Sequence, residues 1–263
     1  MPQLSALLFD VDGTLADTER AHLEAFNEAF RRAGLPWHWS VPLYTDLLAV
    51  TGGKERIGHY IDHHVSAFSR PPDLDRFIAG LHREKTRVYV ELTEQGRLPL
   101  RPGVARLLGE ARAASLRLAI ATTTTPANVT ALLESALGRG ATQWFEYIGA
   151  GDVVPRKKPA PDIYHHVLER LGLDPAACIA FEDSEGGLRA ARAAALATVV
   201  TVNDFTRHHA FPGAALVLDH LGEPDQPFTV LGGDAGGRHY VDLGLLRELH
   251  ARAVRDREPG VGA

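Results

Sequence analysis

The stretch Ser5-Ala6-Leu7-Leu8-Phe9-Asp10-Val11-Asp12-Gly13-Thr14 constrains the fold more than any other part of the chain. A short apolar run rich in Leu and Phe has the length of a buried strand, and this one stops at two carboxylates and a glycine. It therefore reads as a core strand that delivers acids to its C-terminal tip, the edge at which open α/β sheets bind ligands. Two aspartates two residues apart repel each other and resist desolvation, so a fold that keeps both beside a hydrophobic strand calls for a cation. All-oxygen donors select a hard divalent ion, most simply Mg²⁺. A solvated turn would also account for an Asp-Gly pair, so the elements that follow decide between the two.

A helix leaves this strand at once. Asp17-Thr18-Glu19 supplies capping side chains and early negative charge, and Leu23, Phe26, Phe30 and Ala33 recur at helical spacing up to Gly34. Helical patterns continue around Tyr44 to Val50, Glu55 to Phe68 and Leu74 to Thr93, with little alternation, so residues 16–97 read as a helical cap inserted into the fold. From Arg101-Pro102-Gly103 onward, helices alternate with β-branched runs at Leu116 to Ala121, Tyr147 to Ala150, Cys178 to Phe181, Thr198 to Val202 and Ala215 to Leu218. With the first strand, that predicts an α/β class of fold: a doubly wound parallel sheet of about six strands built from residues 1–15 and 98–221. Gly222 to Gly237, rich in Gly, Pro and Asp, reads as a loop or linker, and Leu243 to Val254 as a helix in a C-terminal extension over 222–263, frayed at its end.

Composition narrows the function classes. A formal charge of -5 on 263 residues offers no electrostatic footprint for nucleic acid or a membrane surface, so an anionic substrate must be drawn in locally. The single cysteine, Cys178, lies in the apolar run Ala177-Cys178-Ile179-Ala180-Phe181 and reads as a small core residue. No apolar stretch is long enough to span a bilayer, and the N-terminus lacks the pattern of a secretory signal, so the expected setting is the cytoplasm and the expected state a monomer. Lysine is scarce: only Lys54, Lys85, Lys157 and Lys158 occur, which makes each a candidate for a role arginine would not fill.

Three further elements follow the acids in order. Thr122 ends the run Arg117-Leu118-Ala119-Ile120-Ala121. Lys158 precedes Pro159 at the start of a helix, which puts a compact cation beside free backbone N–H groups. Glu182-Asp183 ends the buried run that contains Cys178, just before Ser184 and Gly186-Gly187. A threonine or an acid at a helix start is often only a cap, worth about 0.3–1 kcal/mol for the charge. Caps alone account poorly for two apolar strands ending in acid pairs with a threonine and a Lys-Pro pair between them.

Asp-x-Asp-Gly-Thr followed by these elements resembles the haloacid dehalogenase superfamily, whose members mostly hydrolyse phosphate esters. The resemblance spans Asp10 to Asp183. It implies that Asp10 is the nucleophile and Asp12 the acid/base, that Thr122 and Lys158 hold the phosphoryl oxygens, and that Mg²⁺ is bound by Asp10, the main-chain carbonyl of Asp12 and Asp183, with Glu182 near or in its shell. Leu15-Ala16-Asp17-Thr18-Glu19, Thr51-Gly52-Gly53-Lys54-Glu55-Arg56 and Ala150-Gly151-Asp152 are similar to those of the CbbY-type sugar-phosphate phosphatases. That group is associated with removing misformed sugar bisphosphates such as xylulose 1,5-bisphosphate.

Specificity is then expected from the cap. Glu19 and His22 lie one helical turn apart and can face sugar hydroxyls, Thr123 adjoins Thr122, and Lys54 and Arg56 follow a Gly-Gly turn from which they could grip a second phosphate. Lys85 and Arg101 are weaker candidates of that kind. Lys157 reads as the solvated neighbour of Lys158. The histidine pairs His63-His64, His165-His166 and His208-His209 point apart on helices and do not suggest zinc. A β-phosphoglucomutase-like sugar phosphomutase would use the same core residues, and a non-catalytic domain phosphorylated on Asp10 is an alternative of another class. Carbon–halogen or carbon–phosphorus cleavage fits Asp12 and Asp183 less well.

Overall fold

The computed structural model describes residues 2–256. In it the apolar run Ala6–Phe9 forms β1, wholly buried. Four helices follow: α1 (Glu19–Arg32), α2 (Val41–Leu47), α3 (Gly53–His64) and α4 (Leu74–Glu94). The remainder alternates: α5 (Val104–Ala113), β2 (Arg117–Ala121), α6 (Pro126–Leu137), β3 (Tyr147–Gly149), α7 (Asp162–Leu171), β4 (Cys178–Glu182), α8 (Glu185–Ala193), β5 (Ala197–Thr201), β6 (Leu216–Leu218), β7 (Val230–Gly233) and α9 (Leu243–Arg255). One sheet runs β3-β2-β1-β4-β5-β6-β7, parallel except for the final pair. A strand with no polar side chain belongs where both faces are covered. Accordingly β1 sits between β2 and β4, with Leu7 and Phe9 on one face and Ala6 and Leu8 on the other, each in its own core cluster.

The helices between β1 and α5 have a core of their own. Phe26, Phe30, Trp37, Trp39, Tyr44 and Tyr60 form an aromatic cluster, for example Phe30 against Trp39 at 5.0 Å and 70°. The chain passes between this unit and the sheet twice, and the two crossings touch: the Arg101 N–H donates to the Leu15 carbonyl at 2.8 Å, and Ala16 bridges Leu100.

The stretch Gly222 to Gly237, expected to be a loop, holds a seventh strand. β7 lies antiparallel to β6 through Leu216↔Gly233 and Val217↔Gly232, with an irregularity near Val217 and Leu218. Half of β7 is glycine, and it is an edge strand with Val230 and Leu231 exposed, so it carries none of the burial pattern by which strands are recognised. Nor is the following helix a loose appendage. Asp242 caps α9 by accepting from the Leu245 N–H at 2.7 Å, and Leu245, Leu246 and Leu249 are buried in the main core. The fraying expected for the last residues lies outside the described residues.

Candidate active site

The C-terminal edge of the sheet gathers the chemistry. Asp10 follows β1, Thr122 follows β2, Glu182 closes β4 with Asp183 next to it, and Lys158 arrives from the segment before α7. All five are buried. The Lys158 Nζ lies 2.6 Å from Asp10 Oδ1 and 2.7 Å from Glu182 Oε1, and 5.2 Å from the centre of the Tyr164 ring. Burial alone would lower the Lys158 ammonium, but Asp10 and Glu182 outweigh it and hold it above the ordinary lysine value. Thr122 receives the Thr124 N–H at 3.3 Å, leaving its own hydroxyl proton free to donate.

Asp10, Glu182 and Asp183 each present an oxygen within 4.8 Å of the others. Burial pushes the Asp10 carboxyl up to about 7, with Lys158 pulling down and Glu182 and Asp12 pushing further up. Asp183 is raised well above the carboxylate range by burial and then by Asp10 and Glu182. Glu182 Oε2 is buried with no hydrogen-bond partner. Such an orphaned acceptor is costly unless something positive meets it. Three convergent carboxylates and an orphaned oxygen fit a hard divalent cation. Two glycines make the room: a Cβ on Gly13 would collide with Asp183 and Asn203, and one on Gly187 would collide with Glu182.

Asp12 faces the other way. Its Oδ1 accepts from Thr18 Oγ1 at 2.6 Å and lies 2.8 Å from His22 Nε2, while His22 Nδ1 lies 2.6 Å from the Nζ of buried Lys85. Burial opposes ionisation of Asp12, but His22, Thr18 and Lys85 prevail and hold it below the ordinary carboxylate range. Burial brings the Lys85 ammonium down to about 7 despite Asp12. When Lys85 carries its proton, His22 Nδ1 is the acceptor, so the ring proton sits on Nε2 and points at Asp12.

Every residue singled out for catalysis, cation binding or substrate binding, except the weaker candidate Arg101, lines one cleft of about 710 Å³ between the sheet edge and the helical unit. Several are engaged in ways the sequence did not foretell. His22 is buried, stacked 4.2 Å from Tyr89 and committed to Asp12 and Lys85. Glu19 accepts from the Tyr44 hydroxyl at 2.6 Å. Arg56 donates to the Leu47 carbonyl at 3.1 Å and lies 5.3 Å from the Tyr44 ring centre. Lys54 pairs across the cleft with Asp152, whose carboxyl Lys54 and Lys157 hold down at about 2. Thr123 makes no side-chain hydrogen bond among the described residues and opens on the cleft. Lys157 is not the solvated neighbour expected: its Nζ meets Glu55 at 2.7 Å and Asp152 at 2.9 Å, joining α3 to the sheet edge. Arg101 turns away from the cleft. Its buried guanidinium donates to the carbonyls of Gly13, Thr201, Val202 and Asp219, the latter two at 2.5 and 2.6 Å, so it pins the loop after β1 to the ends of β5 and β6.

Three supporting residues are not singled out from the sequence. Thr18 holds Asp12, Tyr164 donates its hydroxyl to Glu182 Oε1, and the Asn203 amide donates to Asp183 Oδ2 at 2.7 Å. Asn203 alone offers a signal: it is a polar residue just past a β-branched run, at the same edge as the acids.

A family model described as haloacid dehalogenase-like hydrolase matches residues 4–195. The chain belongs to this family. Within it, the chain is 53% identical to the plasmid CbbY protein of Cupriavidus necator, over 94% of this chain and 97% of that one. It is 52% identical to the CbbY protein of Rhodobacter capsulatus, over 81% and 91% of the respective chains. A crystal structure of a CbbY mutant from Rhodobacter sphaeroides in complex with xylulose 1,5-bisphosphate superimposes with a TM-score of 0.80 at 44% identity, covering 92% of this chain and 100% of that one. The haloacid dehalogenase-like assignment thus rests on the core and extends through the helical unit.

Proposed function

We propose that this protein is a Mg²⁺-dependent phosphatase of a small sugar bisphosphate, xylulose 1,5-bisphosphate, working in the cytoplasm through a phospho-aspartate on Asp10. The observation that carries the reading is the buried Asp10 carboxylate, fixed by Lys158 at 2.6 Å and aimed with two other carboxylates into the cleft. The bisphosphate bound to the related Rhodobacter sphaeroides protein supplies the substrate class. Asp10, Glu182 and Asp183, with the main-chain carbonyl of Asp12, would hold Mg²⁺, and the ion when bound neutralises charge on the phosphoryl oxygens. Residues 16–97 act as the cap that shields the reaction from bulk water.

In the first half-reaction an Asp10 oxygen forms a bond to phosphorus as the bond from phosphorus to the sugar oxygen breaks. Lys158 and Thr122 hold the transferring oxygens. Asp12, held ionised by His22 and Thr18, must first take up a proton from solvent as the anionic substrate enters, and it passes that proton to the departing sugar oxygen. In the second half-reaction Asp12 takes a proton from the water that attacks the phospho-aspartate, and inorganic phosphate leaves. General acid/base help of this kind is worth about 10²–10⁴-fold.

A panel of sugar phosphates, scored by phosphate release with and without Mg²⁺, tests the activity, with the bisphosphate expected to be turned over best. Conversion of glucose 1-phosphate to glucose 6-phosphate in the presence of glucose 1,6-bisphosphate, without free phosphate, would overturn hydrolysis in favour of a mutase. Lys54 and Arg56 are assigned to the second phosphate. Replacing either with Ala is expected to lower kcat/KM for the bisphosphate by about ten- to a hundredfold, the value of one charge-assisted contact, while an aryl phosphate is spared. Equal losses on both substrates would leave them as structural residues.

The cation should bind in a pH-dependent way. Asp10 keeps its proton up to about 7 without the ion, and a cation can occupy the carboxylate only when that proton leaves. Apparent Mg²⁺ affinity should therefore fall as pH drops below 7, by about tenfold per unit for each proton displaced. Calorimetric titration at pH 8, 7 and 6 checks this, and a pH-independent affinity would contradict it.

A further inference from the structure

The hydrophobic cluster of the helical unit contains one side chain from the sheet domain, Phe205. It is buried, edge-on to Tyr44 at 6.1 Å and 89°, with the Arg20 guanidinium 6.0 Å from its ring centre. A phenylalanine in a loop just past β5 would otherwise sit in water. Tyr44 in turn is bonded to Glu19 and Arg56, which both line the cleft. The loop that carries Phe205 is built by Asn203. Its side-chain oxygen accepts the Phe205 N–H at 2.9 Å, and its N–H donates to Thr206 Oγ1 at 3.1 Å. The same side chain's amide donates to Asp183 Oδ2 at 2.7 Å. A single asparagine thus touches both a carboxylate of the cation seat and the loop that docks into the cap.

We propose that Phe205 is the positioning residue by which the sheet domain docks the cap, and that Asn203 links this docking to the cation seat at Asp183. The inference rests on the phosphatase reading for its purpose, since a docked cap is what excludes water from the phospho-aspartate. Its physical content is linkage: if cation binding orders Asp183 and Asn203, it orders the loop that presents Phe205, and docking in turn favours the cation. Burial of a phenylalanine against leaving it exposed sets the scale, about ten- to a hundredfold in the docking equilibrium. Unlike the phosphate grip assigned to Lys54 and Arg56, docking serves every substrate.

Hydrogen–deuterium exchange of the full chain, with and without Mg²⁺, tests it. In the wild type, Mg²⁺ is expected to slow exchange in residues 41–64 and 203–206. In Phe205→Ala, Mg²⁺ should still bind by calorimetry, yet the slowing in 41–64 should be lost while the sheet strands remain protected as before. Its kcat/KM should fall by about ten- to a hundredfold on the bisphosphate and on an aryl phosphate alike, and Phe205→Leu should recover most of both effects. Slowing retained in Phe205→Ala, or exchange raised uniformly across the sheet, would overturn the proposal. A wild type that releases no phosphate from the bisphosphate would defeat the substrate assignment and leave the exchange experiment intact.

Discussion

Asp10→Asn is expected to abolish phosphate release, by on the order of 10⁴-fold or more, the scale on which loss of a nucleophile is felt. The side chain keeps its shape and can still accept from Lys158 through the amide oxygen, so the fold has no reason to fail. Stability is expected to rise in the cation-free protein. Burial already makes the Asp10 charge expensive, holding its carboxyl up to about 7, and the amide removes that charge from a site shared with Glu182 and Asp183. The expected result is therefore an inactive protein with a melting temperature at or above that of the wild type at pH 8. Mass spectrometry excludes reversion by deamidation. Substantial turnover by the intact variant would remove the phospho-aspartate from the mechanism.

Lys158→Ala should be nearly as severe for activity and opposite in its effect on stability. Lys158 is the cation in contact with both Asp10 and Glu182, and its side chain is 7% exposed. Without it two buried carboxylates face each other, and breaking a buried pair in this way costs about 3–5 kcal/mol. The sign of the pH dependence follows. An Asp10 carboxyl raised still further holds its proton more tightly folded than unfolded. The penalty is absent at low pH, appears as pH rises past the unfolded carboxylate value near 3.9, and grows until the folded group ionises. The melting deficit relative to wild type should thus be large at pH 8, small near pH 4, and reduced by Mg²⁺. Catalysis should fall by at least about 10²–10³-fold, the loss usual for one electrostatic contact in a dry site, and Lys158→Arg should not restore it because a planar fork does not fit a point contact. Wild-type-like melting at pH 8 would refute the electrostatic account of the site.

What was legible in the sequence was what burial and charge write at short range. Ala6–Phe9 and Cys178–Glu182 announce themselves because an apolar run that stops at acids fits a buried strand tip and little else. Their place at the centre of the sheet follows from having no polar face. β7 left no such trace, because Val230–Gly233 is half glycine and mostly exposed, and its identity as a strand comes from pairing with β6 alone. Glu19 and His22 in the helical unit show a second limit. Helical spacing correctly puts Glu19 and His22 on one face, but which partner that face meets is decided by residues far away. His22 is claimed by Asp12 and by Lys85 from α4, and Glu19 by Tyr44 from α2. Arg101 is the plainest case, since nothing near it in the chain indicates that four backbone carbonyls will surround its guanidinium.

The central position of β1 also has a consequence in time. Its neighbours in the sheet begin at Arg117 and Cys178, with Ala6 paired to both, so the first strand to be synthesised waits for partners encoded more than a hundred residues later. At roughly 5–20 residues per second on the ribosome, the interval before β4 emerges is on the order of ten to thirty seconds. Until β2 emerges Ala-Leu-Leu-Phe has neither edge paired, and until β4 emerges it has only one. The helical unit, whose aromatic cluster draws almost entirely on residues 23–81, can condense within that interval and tether the waiting strand beside a folded body. The nascent chain then carries Asp10 on a segment that cannot settle until the second half of the protein arrives.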